Sequence, residues 1–316
     1  MTDVYHDGER AVQARAGVLD QAGFSSGAIH ARIPDVARDF LRQQVMLVLG
    51  ATDEQGRVWA SLLTGAPGFL RADGDRSLIV EAHPAAGDPL RPLFGGSGEA
   101  VPVGMIAIEP ASRRRMRMNG RATTTGAGFR VDLDQVYANC PKYIQKREPR
   151  RDPGGPAVPV RTDRLQGSHT DLIARADTFF VATADRDGNA DASHRGGNPG
   201  FVEVLSPTSL RWPDYVGNAM FGTLGNIEVN PVAGLIFPDW DTGSTLQLTG
   251  TARVDWDPDR AAAVPGAQRL VEFTISEVVE IRGSSPLRWS APVYSRFNPQ
   301  AVRPASPGPA KPRGRS

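Results

Sequence analysis

The chain of 316 residues has a single cysteine, Cys140. That excludes an intrachain disulfide and a thiolate metal cage, and it suits a reducing compartment. No apolar stretch reaches the roughly 18 residues that a membrane-spanning helix needs. The first residues, MTDVYHDGE, are polar and acidic, without the basic start and apolar run of a secretory signal. Neither sign of charge prevails, since 36 Lys and Arg face 35 Asp and Glu for a formal net charge of +1. No overall field therefore draws the chain to nucleic acid or to a lipid surface. Of its five histidines, only His194 falls in a motif. These absences describe a neutral protein expected in the cytoplasm, with no nucleic acid, no membrane and no bound metal.

What the chain does contain is the same stretch twice. Ser61 matches Ser193, Gly68 matches Gly200 and Leu78 matches Leu210, each pair 132 positions apart. The match continues at a slightly shorter offset, with Gly104 to Ile108 facing Gly234 to Phe237 and Met118 to Ala122 facing Leu248 to Ala252. A duplicated domain is the simplest cause, and both halves should share one fold. Short apolar strands separated by Gly and Pro turns, such as Val45 to Ala51, the turn at Asp53 to Gly56, and Val58 to Leu63, predict β-barrels with helices on the rim. Residues 7–22 and 34–44 read as helices, the second with Pro34 in its first turn. The expected organisation is a helical segment at 1–39, a first barrel at 40–146, a linker at 147–166, a second barrel at 167–290 and a disordered tail at 291–316. The linker and tail are rich in proline and charge and lack periodicity.

Three stretches are equipped for chemistry in one copy and plain in the other. Ser193-His194-Arg195-Gly196 offers a hydroxyl, an imidazole and a guanidinium beside glycine, which suits a phosphate; the first copy has apolar Leu62 and Leu63 there. The strand carrying Trp212 ends at Pro213, and a turn through Asp214 then leads to a helix in which Asn218 is expected to cap and Thr223 and Asn226 to add donors for an anion. Asn139-Cys140-Pro141-Lys142-Tyr143 lies in the first half and has no counterpart after Val278. Lys142 and Tyr143 are the ligand candidates in it, and no acid, base or nucleophile is assigned.

These three stretches resemble the pyridoxamine 5′-phosphate oxidase-like superfamily of flavin-binding split barrels. More narrowly, they resemble a branch of flavin-nucleotide-binding proteins that carries Ser-x-Arg-Gly-x-x-Pro-Gly-Phe, Pro-Asp-x-x-Gly-Asn and Val-x-x-x-Asn-Cys-Pro-Lys-Tyr-Ile. The resemblance implies two tandem split β-barrels, mainly β with peripheral helices, paired as an intrachain pseudo-dimer. It also implies FMN, or a deazaflavin coenzyme, in a groove that combines both barrels. One groove would join Ser193, His194, Arg195, Gly196, Trp212, Pro213, Asp214, Asn218, Thr223 and Asn226 to Asn139, Lys142 and Tyr143, giving one cofactor per chain. Ser193, Arg195 and the 218–226 helix start would meet the phosphate or ribityl chain, and Trp212 and Pro213 the ring. The expected function is a flavin-dependent oxidoreductase acting on a small molecule or electron donor, as a monomeric pseudo-dimer or a homodimer. A protein that holds flavin or deazaflavin without turnover, and a haem-binding split barrel, are the alternatives.

Overall fold

In the computed structural model, which describes residues 4–96, 99–152 and 154–300, the short apolar segments pair into two large antiparallel sheets. The first contains β1 (Met46–Thr52), β2 (Val58–Thr64), β3 (Leu70–Ala72), β4 (Ser77–Val80), β5 (Val101–Glu109), β6 (Arg114–Thr125) and β7 (Gly128–Ala138), in the order β2-β1-β5-β6-β7-β4-β3. Two connecting strands follow, β8 (Pro149–Arg151) and β9 (Val158–Thr162). The second sheet contains β10 (Thr178–Ala184), β11 (Ala190–Gly196), β12 (Glu203–Ser206), β13 (Ser209–Tyr215), β14 (Val232–Pro238), β15 (Thr245–Asp255) and β16 (Ala267–Arg282), in the order β11-β10-β14-β15-β16-β13-β12. Each strand of the first order maps onto its repeat in the second. The last strand, β17 (Leu287–Trp289), pairs with β8. Helices α1 (Asp7–Arg15), α2 (Leu19–Ser26), α3 (Asp35–Gln43), α4 (Gly167–Arg175), α5 (Gly222–Val229) and α6 (Pro258–Ala262) are peripheral. The protein is thus mainly β, two tandem split-barrel units.

The repeat is visible down to single turns. Asp53 Oδ1 accepts from the Gln55 and Arg57 N–H groups at 3.0 and 2.9 Å, and Asp185 Oδ1 accepts from Asp187 and Asn189 at 2.9 and 2.8 Å. Gly56 and Gly188 close these turns at φ +77° and +82°, where a side chain would strain the backbone. The contact between units is reciprocal as well. Gly104 lies against the backbone of Asp191, and Gly234 lies against that of Trp59, the counterpart of Asp191. A Cβ at either glycine would collide with the opposite unit. Val48, Ala60 and Ile106 of one unit meet Phe180, Ala192 and Ile236 of the other in a shared apolar layer. This is a pseudo-dimer made from one chain, with an isologous interface.

Several local expectations change. The helix expected over 7–22 breaks at Gly17, which takes φ +70°, into α1 and α2. Pro34 is the cap of α3 and not part of its first turn. The segment 147–166 connects the units but is partly sheet, because β8 pairs with β17 and β9 with β16. Residues 291–300, expected to be tail, are held by polar contacts in place of apolar burial. Gln145 Oε1 accepts from the Ser295 N–H at 2.8 Å and from Asn298 Nδ2 at 3.1 Å, and Val293 bridges Lys146. Residues 301–316 lie outside the described residues. Among the described residues no helix is long and apolar enough to cross a membrane.

Candidate functional site

Strand alternation decides what β11 offers. Successive side chains face opposite sides, so His194 points with its cross-strand partner Phe180 toward the first unit, and Arg195 points with Phe179 toward the mouth of its own sheet. Next to this strand end, β13 brings up Pro213 and Asp214 and continues two residues past the expected stop at Pro213. The loop 216–221 then enters α5. From the other unit come Arg115 and Arg117, on one face of β6, and the segment 139–143. Together these elements enclose a cavity of about 280 Å³, rimmed further by Val18 and Gln21 at α2. Its size is near the lower end of the roughly 300–1,000 Å³ of small-molecule sites.

The cavity is rich in positive charge. Arg115, Arg117, Lys142, Arg195 and Arg269 all line it. Arg117 pairs with Asp191 at 3.1 Å and Arg269 with Asp214 at 2.6 Å. Among the described residues, Arg115, Lys142 and Arg195 form no ion pair. Burial, with Arg117 and Arg195 nearby, pulls the Arg115 guanidinium down to about 9. Burial also lowers Arg195, although Asp214 opposes the shift. Arg115 donates from Nη1 to His194 Nδ1 at 2.7 Å and from Nη2 to the Cys140 carbonyl at 2.8 Å. A guanidinium has only donors, so Nδ1 accepts and the imidazole proton resides on Nε2. Burial and the three arginines push the His194 pKa well below its ordinary value, which keeps the ring neutral. Its Nε2 is buried without a partner, as are Asn139 Oδ1, Arg115 Nε and Arg195 Nε. At the far wall Tyr143 and Tyr215 lie 5.1 Å apart, centroid to centroid.

The backbone is strained here too. Among the described residues four non-glycines take a left-handed conformation, and three of them, Tyr143, Ala219 and Phe221, line this cavity. Such conformations persist only where the surroundings enforce them, and they concentrate at functional sites. Phe221 is the N-terminal cap residue of α5 and supplies no side-chain acceptor. Gly222, Thr223 and Leu224, which carry the first N–H groups of that helix, line the cavity.

Ten of the thirteen expected residues line the cavity: Asn139, Lys142, Tyr143, His194, Arg195, Gly196, Pro213, Asp214, Asn218 and Thr223. Three do not. Trp212 is 1% exposed and packs edge-on to Phe179 in the core of its unit, two residues deeper along β13 than Asp214, which shares its face and lines the cavity. Ser193 lies beneath the wall, accepting from Thr223 Oγ1 at 2.7 Å. Asn226 is one turn too far along α5, where it donates to Thr183 Oγ1 and meets His6 Nε2 at 2.9 Å. Nor does Asn218 cap α5; its Oδ1 accepts from the Met220 N–H at 3.1 Å in the preceding loop. The residues that sequence reasoning missed are Arg115, Arg117, Arg269 and the α2 rim. The signal for the first two was the alternation Arg115-Met116-Arg117-Met118 in β6, which sends arginine one way and methionine into the core.

The pseudo-equivalent groove is filled by protein. Asp88 accepts from Ser61 Oγ at 2.6 Å, from the Leu90 N–H at 2.9 Å and from Gln247 Nε2 at 3.0 Å. Burial raises the Asp88 carboxyl to about 6 against these bonds. Ser61 and Gln247 are the counterparts of Ser193 and Arg117.

Residues 165–283 match the family described as pyridoxamine 5′-phosphate oxidase. The match spans α4 to the end of β16, so the similarity to that family lies in the second unit. No curated protein matches the chain. Among solved structures it is similar to the H111A variant of HupZ from Group A Streptococcus, with 15% identity over 37% of this chain and 98% of that one and a TM-score of 0.31. It is also similar to a pyridoxamine 5′-phosphate oxidase-related, FMN binding protein of Nostoc punctiforme, with 12% identity over 40% and 95% and a TM-score of 0.28. A third is an F420 reductase, with 16% identity over 36% and 95% and a TM-score of 0.27.

Proposed function

We propose that the cavity holds one flavin-type cofactor per chain, FMN in the first instance, and that the protein is a flavin-dependent oxidoreductase. The observation that carries this reading is the pair Arg115 and Arg195, two half-buried guanidinium groups at one cavity with no carboxylate partner among the described residues. Uncompensated buried charge is costly, and an anionic ligand group would remove that cost. Planar guanidinium forks match phosphate, and the uncapped start of α5 adds oriented N–H groups for the same group. Arg195 and the α5 start would hold the phosphate, Lys142 and Asn139 would reach it or the ribityl chain from the first unit, and the Tyr143 and Tyr215 rings with Pro213 would bound the flat ring. The neutral His194 presents Nε2–H as a donor, oriented by Arg115. When bound, the flavin would accept a hydride or single electrons, and the protein would set its orientation and access. The imidazole tautomer is a reason to prefer flavin to haem, since Nε2 presents a proton where an axial ligand needs a lone pair.

Titration of FMN into the purified protein, read by flavin absorbance and fluorescence, tests the reading. One equivalent per chain, with binding weakened in Arg195→Ala, is the expected result. Two equivalents would reject a single groove. Tight binding of the deazaflavin F420 with none of FMN would change the cofactor, and a Soret band with neither would reject flavins altogether.

A further inference from the structure

Behind the start of α5 lies a polar cluster centred on Glu9, in the first turn of α1, whose side chain is 12% exposed. A Cβ on Gly222 would come within 3.6 Å of Glu9 Oε1, 3.7 Å of Arg117 Nη1 and 3.9 Å of Asp191 Oδ2. The three groups therefore converge on the residue that opens α5 and lines the cavity. Gly225, one turn on, lies so close to the Glu9 backbone and Cγ that a Cβ there would collide, and this crossing of α1 and α5 holds the carboxyl in place. Two carboxylates here share one guanidinium. Arg117 pairs with Asp191 at 3.1 Å and donates to Tyr137 Oη at 3.2 Å. Glu9 Oε2 accepts the His6 N–H at 3.0 Å. The His6 ring lies 3.7 Å from it, with Nδ1 accepting from the Gly8 N–H and Nε2 on Asn226 Oδ1. Tyr5, Tyr137 and Asp185 also face Glu9 and bring no positive charge. Burial, opposed by the His6 N–H and Arg117 and aided by Asp191 and Asp185, raises the Glu9 carboxyl to about 8.

We infer that the proton on Glu9 is part of the anion site: the start of α5 binds a phosphate monoester more tightly while Glu9 is neutral, and where Glu9 is ionised the entering anion draws one proton from water onto its carboxyl. An anion at the first N–H groups of α5 stands across Gly222 from Glu9, and like charges so placed raise the affinity of the carboxyl for its proton. Linkage makes the effect mutual, since an ionised Glu9 weakens the anion by the same factor. Glu9 is thus a positioning residue that acts through the electrostatics of the helix start. That the anion is the phosphate of a flavin rests on the proposed function; the retention of the proton by Glu9 does not.

Calorimetric titration with FMN at pH 7, 8 and 9, repeated with riboflavin and in Glu9→Gln, tests the linkage. Gln keeps an acceptor for the His6 N–H and removes the charge, and the FMN phosphate is largely dianionic over this range. Wild-type affinity should fall about tenfold from pH 7 to 9, with about half a proton taken up per FMN at pH 8, read from the dependence of the heat on buffer ionisation enthalpy. Glu9→Gln should take up none and lose that slope. Arg115, pulled down to about 9, adds at most about twofold by pH 9, equally in both proteins. Riboflavin, which lacks the phosphate, should show neither effect. Without ligand, the melting temperature of Glu9→Gln relative to wild type should rise between about pH 5 and 8 and level off above, because the unfolded chain ionises Glu9 first. If no flavin binds, phenyl phosphate replaces FMN, and proton uptake with it would reject the cofactor reading and keep the linkage. Equal pH slopes in the two proteins, no proton uptake with either phosphate, or a melting difference that is constant with pH would each overturn the inference.

Discussion

The two grooves of this pseudo-dimer are built on the same strands and hold opposite contents. At Arg195 of one stands Leu63 of the other; at His194, Leu62; at Arg117, Gln247; at Arg115, Thr245. The first collects cations beyond its carboxylates and leaves several buried polar atoms without partners. The second is closed by Asp88, on which a hydroxyl, a backbone N–H and an amide converge. One fold thus supports either an open cavity or a plug, and the choice is made by side chains at matched positions. A duplicated chain can make that choice separately in each copy, which a homodimer of one repeat cannot.

The largest expected effects come from the plugged side, because there the matched residues are core. Leu63 is 1% exposed, and Leu63→Ala should cost about 2–5 kcal/mol of stability by cavity formation, read by denaturant unfolding, with FMN stoichiometry unchanged. An exposed-like cost below about 1 kcal/mol would show that this position is not packed as its burial implies. Asp88→Ala follows. It removes one acceptor from three buried donors, and about 3 kcal/mol should be lost as they go unsatisfied. The pH dependence of this term has a definite sign. Burial raises the folded Asp88 pKa from 3.8 to about 6, so the folded state holds the proton more tightly than the unfolded chain. Its contribution is complete below about pH 4, is lost as pH rises toward 6, and is flat above that. The difference in melting temperature between wild type and Asp88→Ala should follow that course, and a difference that grows with pH would reverse the assignment.

Arg195→Ala brings the comparison to the other groove. Hydrogen bonds to charged groups contribute about 1.5–3 kcal/mol, so FMN affinity should weaken by about 10- to 100-fold. Stability should hold or rise slightly, because an uncompensated guanidinium is removed. The pair of substitutions at matched positions is therefore reciprocal: Leu63→Ala changes stability and not binding, Arg195→Ala binding and not stability. Equal loss of stability in both would mean that the grooves differ less than their charges imply.

Much of this arrangement was legible in the sequence because duplication makes differences visible. The twin turns at Asp53 and Asp185, the single fold shared by both halves, and the contrast of His194-Arg195 with Leu62-Leu63 all follow from the repeat. Asn139, Lys142 and Tyr143 were found for the same reason, as an insertion with no partner after Val278. What escaped was whatever depends on direction. Trp212 and Pro213 are neighbours in sequence and were given to one ring, yet Trp212 lies in the core of its unit and Pro213 lines the cavity. Ser193 lies in the motif but points under the wall to Thr223. Arg115 and Arg117 sit in an arginine run that reads as an ordinary solvated strand until the opposite unit is placed over it. The α2 rim carries no motif, since Val18 and Gln21 gain meaning only from packing over the 216–221 loop, where Ser25 Oγ donates to the Asn218 carbonyl at 2.9 Å.

The smallest effect, and the one that sharpens the comparison most, belongs to Lys142. It lies in the 139–143 segment that has no counterpart in the second unit, so the charge is particular to this cavity. Its ammonium lies 5.9 Å from the ring centroid of Phe297, a side chain that is 40% exposed. A partly solvated charge contributes about 0.5–1 kcal/mol to an ion contact, so Lys142→Ala should weaken FMN by only about two- to fivefold. Solvent-exposed charges are also screened by salt, with a Debye length of about 10 Å at 0.1 M and 3 Å at 1 M. The Lys142→Ala deficit should therefore fade as ionic strength rises in FMN titrations. The Arg195→Ala deficit, made by short contacts in a half-buried setting, should persist. If both deficits vanish together in high salt, the arginine acts as a diffuse charge and the cavity is an electrostatic funnel; if neither does, the lysine closes over the ligand and the two units meet around it.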